Sequence, residues 1–154
     1  MNLALVLAFA IGFIDGLRSM TAPALVAWAA HLGWLNLQGS PLNFMASPIA
    51  VGVLSVLALL EFVADVLPMT PARTAPGSLA VRVIAGGLSG ACLSVGNGGS
   101  LAGGVFLGIV GGLVGAYVGY HARRGLVNGL KVKDILIAIP EDIVAVGLGY
   151  LIVR

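Results

Sequence analysis

Long apolar runs, separated by short polar or proline-containing stretches, set the pattern of this chain. A run of about 20 apolar residues can cross the hydrocarbon core of a bilayer as a helix. Three such runs are clear, and they cover residues 47–66, 78–96 and 101–120. A fourth covers residues 132–153 and contains Pro140, where we predict a break because proline disrupts a helix interior.

The first apolar segment, residues 3–34, is too long for one straight span. It would measure roughly 48 Å, against a hydrocarbon core of about 30 Å. A polar stretch interrupts it between Asp15 and Pro23. Thr21 can cap a new helix that has Pro23 in its first turn. We therefore predict two short helices, residues 3–16 and 23–34, with a single broken helix as the alternative.

The composition of the chain indicates the class of protein to which these runs belong. The 154 residues are 59% hydrophobic and only 9% charged, and the mean hydropathy is +1.08. A soluble domain carries about 25% charged residues. We predict an all-α integral membrane protein, one transmembrane domain over residues 1–154, built as a compact bundle of five or six short helices.

Lysine and arginine predict the orientation, because cytoplasmic loops carry an excess of them. Arg73 and Arg82 lie in and beside loop 67–77. Four more lie in loop 121–133, namely Arg123, Arg124, Lys131 and Lys133. We predict that both loops are cytoplasmic, in a multi-pass protein of the bacterial inner membrane. This bias favours six helices over five, since Arg18 then falls on the same side.

An internal repeat is a further interpretation. The segment Arg18 to Pro23 resembles Arg73 to Pro76, and the residues after Glu61 resemble those after Glu141. Halves covering residues 1–68 and 74–154 would each hold three helices. An odd number per half would make the copies inverted, as in many transporters. Chance similarity is the alternative, because the loop lengths do not match.

The acidic residues of the apolar segments carry the most functional information. Glu61 and Asp65 share a helix face, and Glu141 and Asp142 follow Pro140. Counted from the helix ends, Glu61 lies at roughly 10 Å depth and the second pair at roughly 12 Å. Charges inside a membrane are costly and usually face a bundle interior or a watery cavity. The candidate polar pocket consists of Asp15, Arg18, Glu61, Asp65, Arg82, Glu141 and Asp142. The alternative is that these charges only hold helix ends together.

Glycines spaced four residues apart define faces of the helix that begins near residue 101. Small residues let helix backbones approach closely in lipid. Tight packing within the bundle is the favoured interpretation. The alternative is a glycine zipper that forms a homo-oligomer through Gly104, Gly108, Gly111, Gly115 and Gly119.

Few other chemistries are indicated. Cys92 is the single cysteine and the chain has two histidines, so no transition-metal set or other cofactor is predicted. A carboxylate site for a hard cation stays open. No basic stripe with aromatic residues suggests nucleic-acid binding. The expected partners are the lipid bilayer and a proton, cation or small solute.

Several motifs together resemble a known family. They are Gly16-Leu17-Arg18 before Pro23, Ser47-Pro48, Leu60-Glu61 with Asp65 and Pro68, His121 before a basic cluster, and Glu141-Asp142. In order and spacing they resemble a family of small bacterial membrane proteins catalogued as domain of unknown function 4126. The resemblance covers nearly the whole chain and implies a membrane bundle, but no particular activity.

Three hypotheses for function follow from the residues. The first is a small transporter or channel-like protein whose carboxylates bind a proton, cation or small solute. The second is a membrane scaffold or partner subunit whose glycine faces mediate assembly. The third is a lipid-headgroup enzyme that uses paired carboxylates as acid and base. It ranks last, because no nucleophile or metal motif supports it.

Overall fold

The computed structural model of the chain describes residues 2–64, 75–131 and 133–154. Six α-helices make up almost all of this part of the chain. They are α1 (Leu3–Leu17), α2 (Thr21–His31), α3 (Pro48–Ala64), α4 (Pro76–Gly96), α5 (Leu101–Leu130) and α6 (Asp134–Val153). A short 3-10 helix, Asn43–Ala46, precedes α3. The predicted all-helical bundle is confirmed, and α1 and α2 are separate helices.

Helix starts follow ordinary capping chemistry. Pro48 and Pro76 are the first residues of α3 and α4, where the missing proline N–H is not needed. The Asn2 side chain accepts a hydrogen bond from the Ala4 N–H at α1. Ser100 does the same for Gly103 at α5. These caps use donors that have no partner inside a helix.

Two contacts define the ends of the bundle and show that α2 and α6 run in the same direction. At one end Trp34 packs against Tyr150. At the other end Arg18 pairs with Asp142. The second end holds the α1–α2 turn and is called the charged end below. Three helices, α4, α5 and the Leu136–Val153 part of α6, are long and apolar enough to cross a membrane, and α1 and α3 are shorter apolar helices.

A glycine seam joins α1, α4 and α5, each of which contacts the other two. A Cβ built on Gly108 would overlap the carbonyl oxygen of Gly86 on α4. On the other side, a Cβ on Gly111 would overlap the carbonyl oxygen of Phe9 on α1. Backbones in such contact can come together only where side chains are absent.

The seam bears on the alternative of a glycine-mediated oligomer. Gly104, Gly108, Gly111, Gly115 and Gly119 are all buried within the single chain. Helices of the chain itself cover these glycines, and an oligomer formed through them stays a prediction. The favoured interpretation, packing within the bundle, explains their spacing.

The remaining helices pack more loosely around this seam. α2 is short but mostly buried, and it lies among α3, α4 and α6. α3 buries only Val51 and Ala58, while Ile49 is 79% exposed. On α6, Ile143 and Leu151 are similarly exposed. Apolar faces of this kind suit contact with lipid acyl chains.

Two predicted boundaries were wrong. The helix expected to end near residue 120 continues to Leu130, so most of the predicted loop 121–133 is helical. Its residues include Ala122, Arg123 and Arg124, which are good helix formers despite being unsuited to lipid. The predicted break at Pro140 is absent, because α6 passes through it. A membrane helix tolerates proline where neighbours and local adjustments satisfy the released carbonyl group.

Candidate functional site

The turn between α1 and α2 is the centre of the candidate site. Arg18 has an extended backbone after α1, and Ser19 and Met20 lead into α2. A helix that ends here leaves carbonyl groups without partners, and a helix that begins here leaves N–H groups without partners. Inside an apolar bundle such groups need partners from elsewhere. Charged side chains of two other helices supply them.

Arg82 of α4 satisfies the end of α1. Its Nη1 donates to the carbonyl oxygens of Asp15 at 3.2 Å and Gly16 at 2.9 Å. A cation is also favourable at a helix C-terminus, where the helix dipole is negative. Arg82 is 6% exposed. Arg82 therefore caps the C-terminal end of α1 from the neighbouring helix α4.

Glu61 of α3 satisfies the start of α2. Its Oε1 accepts from the Ser19 N–H at 2.8 Å and from the Ser19 hydroxyl at 2.7 Å. Its Oε2 accepts from the Met20 N–H at 3.0 Å. An anion is favourable at the positive N-terminus of a helix. The cap of α2 thus comes from Glu61 and not, as the sequence predicts, from Thr21, which lies inside α2.

Arg18 turns into the bundle and is 1% exposed. Its Nη2 forms an ion pair with Oδ1 of Asp142 on α6. Its guanidinium carbon lies 4.7 Å from the centroid of the Phe62 ring, a cation–π arrangement. A buried guanidinium needs such compensation, since removing one partner of a buried pair is costly. This contact attaches α6 to the turn.

Glu141, beside Asp142, reaches a different cation. Its Oε2 lies 3.7 Å from Nη1 of Arg123 on α5. Both side chains are largely buried. This contact links α5 to α6 at the charged end.

Asp15 is the unusual member of the group. It is 0% exposed, and neither carboxylate oxygen has a hydrogen-bond partner among the residues that the structure describes. The polar side chains acting on it are Ser89, Glu61 and Arg82. Ser89 is placed to hydrogen-bond with it, yet its own Oγ also completes no bond of normal geometry. Native structures leave few buried polar groups in this state.

The structure places six of the seven predicted residues at the charged end. Five of them surround the α1–α2 turn, namely Asp15, Arg18, Glu61, Arg82 and Asp142. The sixth, Glu141, is next to Asp142 and pairs with Arg123. We call these six residues the charged layer. The seventh, Asp65, lies outside the described residues. Sequence reasoning missed Ser19, Ser89 and Phe62. Ser89 had a detectable signal, because it stands seven residues after Arg82 and so shares its helix face.

The fold and the charged layer together define a class: an all-helical membrane bundle with a buried polar layer at a helix break. The chain belongs to the family described as domain of unknown function DUF4126, whose profile matches residues 5–154. The resemblance predicted from the motifs is thereby confirmed. No curated protein and no solved structure matches the chain.

Proposed function

We propose that the protein is a small transporter or channel-like protein of the bacterial inner membrane. In this proposal the charged layer binds a proton, a cation or a small solute and opens toward the cytoplasm. Asp15 carries the proposal. Its carboxylate is fully buried and has no hydrogen bond to the described part of the chain, so it gives the folded protein no evident stability. Ionisable groups inside membranes are usually functional.

The helix break supports the same proposal. The C-terminal end of α1 and the N-terminal end of α2 meet at the charged layer. Transporters commonly place binding sites where helices are interrupted within the membrane, because backbone groups and helix dipoles become available there. Here Arg82 and Glu61 occupy those backbone groups, so the layer is organised around two charge-capped helix ends.

Charge distribution supports the proposed orientation. The basic residues Arg123, Arg124 and Lys131 lie at or near the end of α5, and Lys133 precedes α6. This is the charged end, since Arg123 approaches Glu141 there. An excess of Lys and Arg marks the cytoplasmic side. The charged layer would then be reached from the cytoplasm.

Flux measurements with purified protein in liposomes test the proposal. Lumenal dyes would report protons, potassium and sodium in separate experiments, with protein-free liposomes as the baseline. We expect wild-type protein to raise the flux of at least one ion and Asp15→Asn to abolish that increase. Asparagine keeps the shape of the side chain but cannot bind and release a proton or carry a negative charge.

Glu61→Gln is the matched control for loss of a carboxylate in the same layer. Because Glu61 caps α2 through three hydrogen bonds, its substitution should lower thermal stability. The flux per folded molecule should fall less than with Asp15→Asn. Wild-type flux equal to that of protein-free liposomes for all three ions would contradict an ion transporter. Equal flux in wild type and Asp15→Asn would remove Asp15 from the site.

A scaffold or partner subunit is the second candidate, and the two helix caps favour it. Arg82 and Glu61 bind backbone groups, as purely structural charges would. Assembly would then use the exposed faces of α3 and α6, since the seam glycines are buried. A stable oligomer in detergent, together with no ion flux, would favour this candidate over the transporter.

A further inference from the structure

We propose that Asp15 and Ser89 form a proton-binding pair in the interface between α1 and α4, and that the proton is the ion which the charged layer takes up. This inference rests on the proposed transport function and names its ion. It stands on the placement of two buried side chains from different helices. Asp15 and Ser89 are both 0% exposed.

The two groups lack partners at the same place. Within residues 2–64, 75–131 and 133–154, both oxygens of Asp15 and the Oγ of Ser89 complete no hydrogen bond, although the hydroxyl is placed to act on the carboxylate. By contrast Ser94, further along α4 and equally buried, donates from its Oγ to the Ser100 carbonyl oxygen at 2.7 Å. A fully buried serine on α4 can therefore find a hydrogen-bond partner, so the state of Ser89 is not a general property of this helix.

A carboxyl and a hydroxyl suit both states of a proton site. When Asp15 is protonated, its O–H can donate to the Ser89 Oγ. When Asp15 has released the proton, the Ser89 O–H can donate to the carboxylate. A serine hydroxyl can do either, because it holds one donor hydrogen and two acceptor lone pairs and rotates freely. The pair can thus form a hydrogen bond in both protonation states of Asp15.

The surroundings supply charge without neutralising Asp15 directly. Arg82 of α4 lies close, but its Nη1 is directed at main-chain carbonyl oxygens. Glu61 of α3 faces the site from the other side and is bound to the α2 start. On α6, Asp142 pairs with Arg18. At this level α5 presents Gly112, Gly115 and Ala116 to α1 and so brings no charge.

The donor set favours a proton over a metal cation. A hard cation such as Ca²⁺ takes six to eight oxygen ligands, roughly, and usually several carboxylates. Within the described residues, no three His, Cys, Asp or Glu side chains are grouped to hold a metal. The Arg82 guanidinium beside Asp15 would also repel a second cation. A single carboxylate paired with a hydroxyl needs only a proton to become neutral.

Infrared titration of the full-length protein in liposomes tests the pair. The pH is varied while the carbonyl stretch of protonated carboxylic acids is recorded. The other carboxyl groups of the chain also titrate. We therefore expect that, among the pH-dependent bands of wild type, one is lost in Asp15→Asn. Ser89→Ala should retain the band, move it to the frequency of a less hydrogen-bonded acid, and change its pH midpoint. Ser94→Ala, with the same residue type, helix and burial, should leave band and midpoint unchanged.

The outcomes separate this inference from the proposed function. Identical pH-dependent bands in wild type and Asp15→Asn would overturn the proton site even if the liposomes conduct another ion. An unchanged band in Ser89→Ala would overturn the pairing. If the band behaves as expected but no proton flux occurs, the site stands and transport fails. If Asp15→Asn does not fold, Ser89→Ala still decides the pairing.

Discussion

The glycine seam and the outer helices α3 and α6 are held in place by opposite means. In the seam, α1, α4 and α5 touch through their backbones, and a Cβ on Gly108 or Gly111 has no space. The outer helices add a few apolar side chains to the core, among them Val51 of α3 and Val153 of α6. At the charged end they are attached by polar contacts. Glu61 fixes α3 to the α1–α2 turn, and Asp142 fixes α6 to Arg18.

The glycine seam is expected to be rigid, whereas the attachment of the outer helices can change. Backbone contact extends over several turns and allows almost no sliding, since packed interiors respond to even one added methyl group. Polar contacts are local and depend on charge. Protonation or ion binding at the charged layer could therefore alter the attachment of α3 and α6 while the seam stays fixed. Substitutions in the seam and in the outer helices test this difference.

Gly108→Ala in the seam should have the largest effect. The new methyl group would overlap the carbonyl oxygen of Gly86 on α4 and would also crowd Gly90, one turn further along α4. Overpacking costs about 1–3 kcal/mol and more where backbones must move, and we expect a loss above that range. The measurement is thermal unfolding in detergent, followed by circular dichroism, with the yield of monodisperse protein.

Gly125→Ala is the matched control, because Gly125 lies on the same helix and its Cβ would meet no atom within 4 Å. Alanine in a helix interior is favoured over glycine by about 0.5–1 kcal/mol. We therefore expect unchanged or slightly raised stability. Equal losses for the two substitutions would mean that α5 is weakened by any change in helix propensity and that the seam is not special.

Asp142→Leu should come next, because it removes a carboxylate that pairs with the buried Arg18 guanidinium. Breaking a buried ion pair from one side costs about 3–5 kcal/mol. A double-mutant cycle with Arg18→Met isolates this pair from the other contacts of Arg18. We expect a coupling energy of about 2 kcal/mol or more, within the range seen for contacting residues. A coupling near zero would mean that α6 is not attached through this pair.

Much of the fold could be predicted because apolar length is a strong signal. Helices α3 and α4 begin within two residues of their predicted starts, at Pro48 and Pro76. The end of α5 could not be found this way, since hydropathy measures fitness for lipid and not helicity. Glycine spacing identified a packing face, but spacing alone does not say whether another helix of the same chain or a second copy covers it.

The residues of the charged layer could be predicted from the sequence, but the groups that they bind could not. Charges are rare in this chain, so Arg18, Glu61 and Asp142 stood out by type alone. Their partners did not stand out. Glu61 binds backbone N–H groups, which every residue except proline possesses, and Ser89 is an ordinary serine in an apolar run. Only the meeting of helices distant in sequence distinguishes a cap from a binding site.

Ser55→Ala should have the smallest effect. It tests how strongly α3 is attached at a point distant from the charged layer. The indole Nε1 of Trp28 on α2 donates to the Ser55 Oγ at 3.0 Å. A neutral hydrogen bond contributes about 0.5–1.5 kcal/mol, so we expect a loss near the lower value, below that of Glu61→Gln. Thermal unfolding gives the size, and Trp28 fluorescence reports the local change. A loss larger than that of Glu61→Gln would show that α3 is anchored mainly in its middle, and the charged layer could then no longer control its attachment.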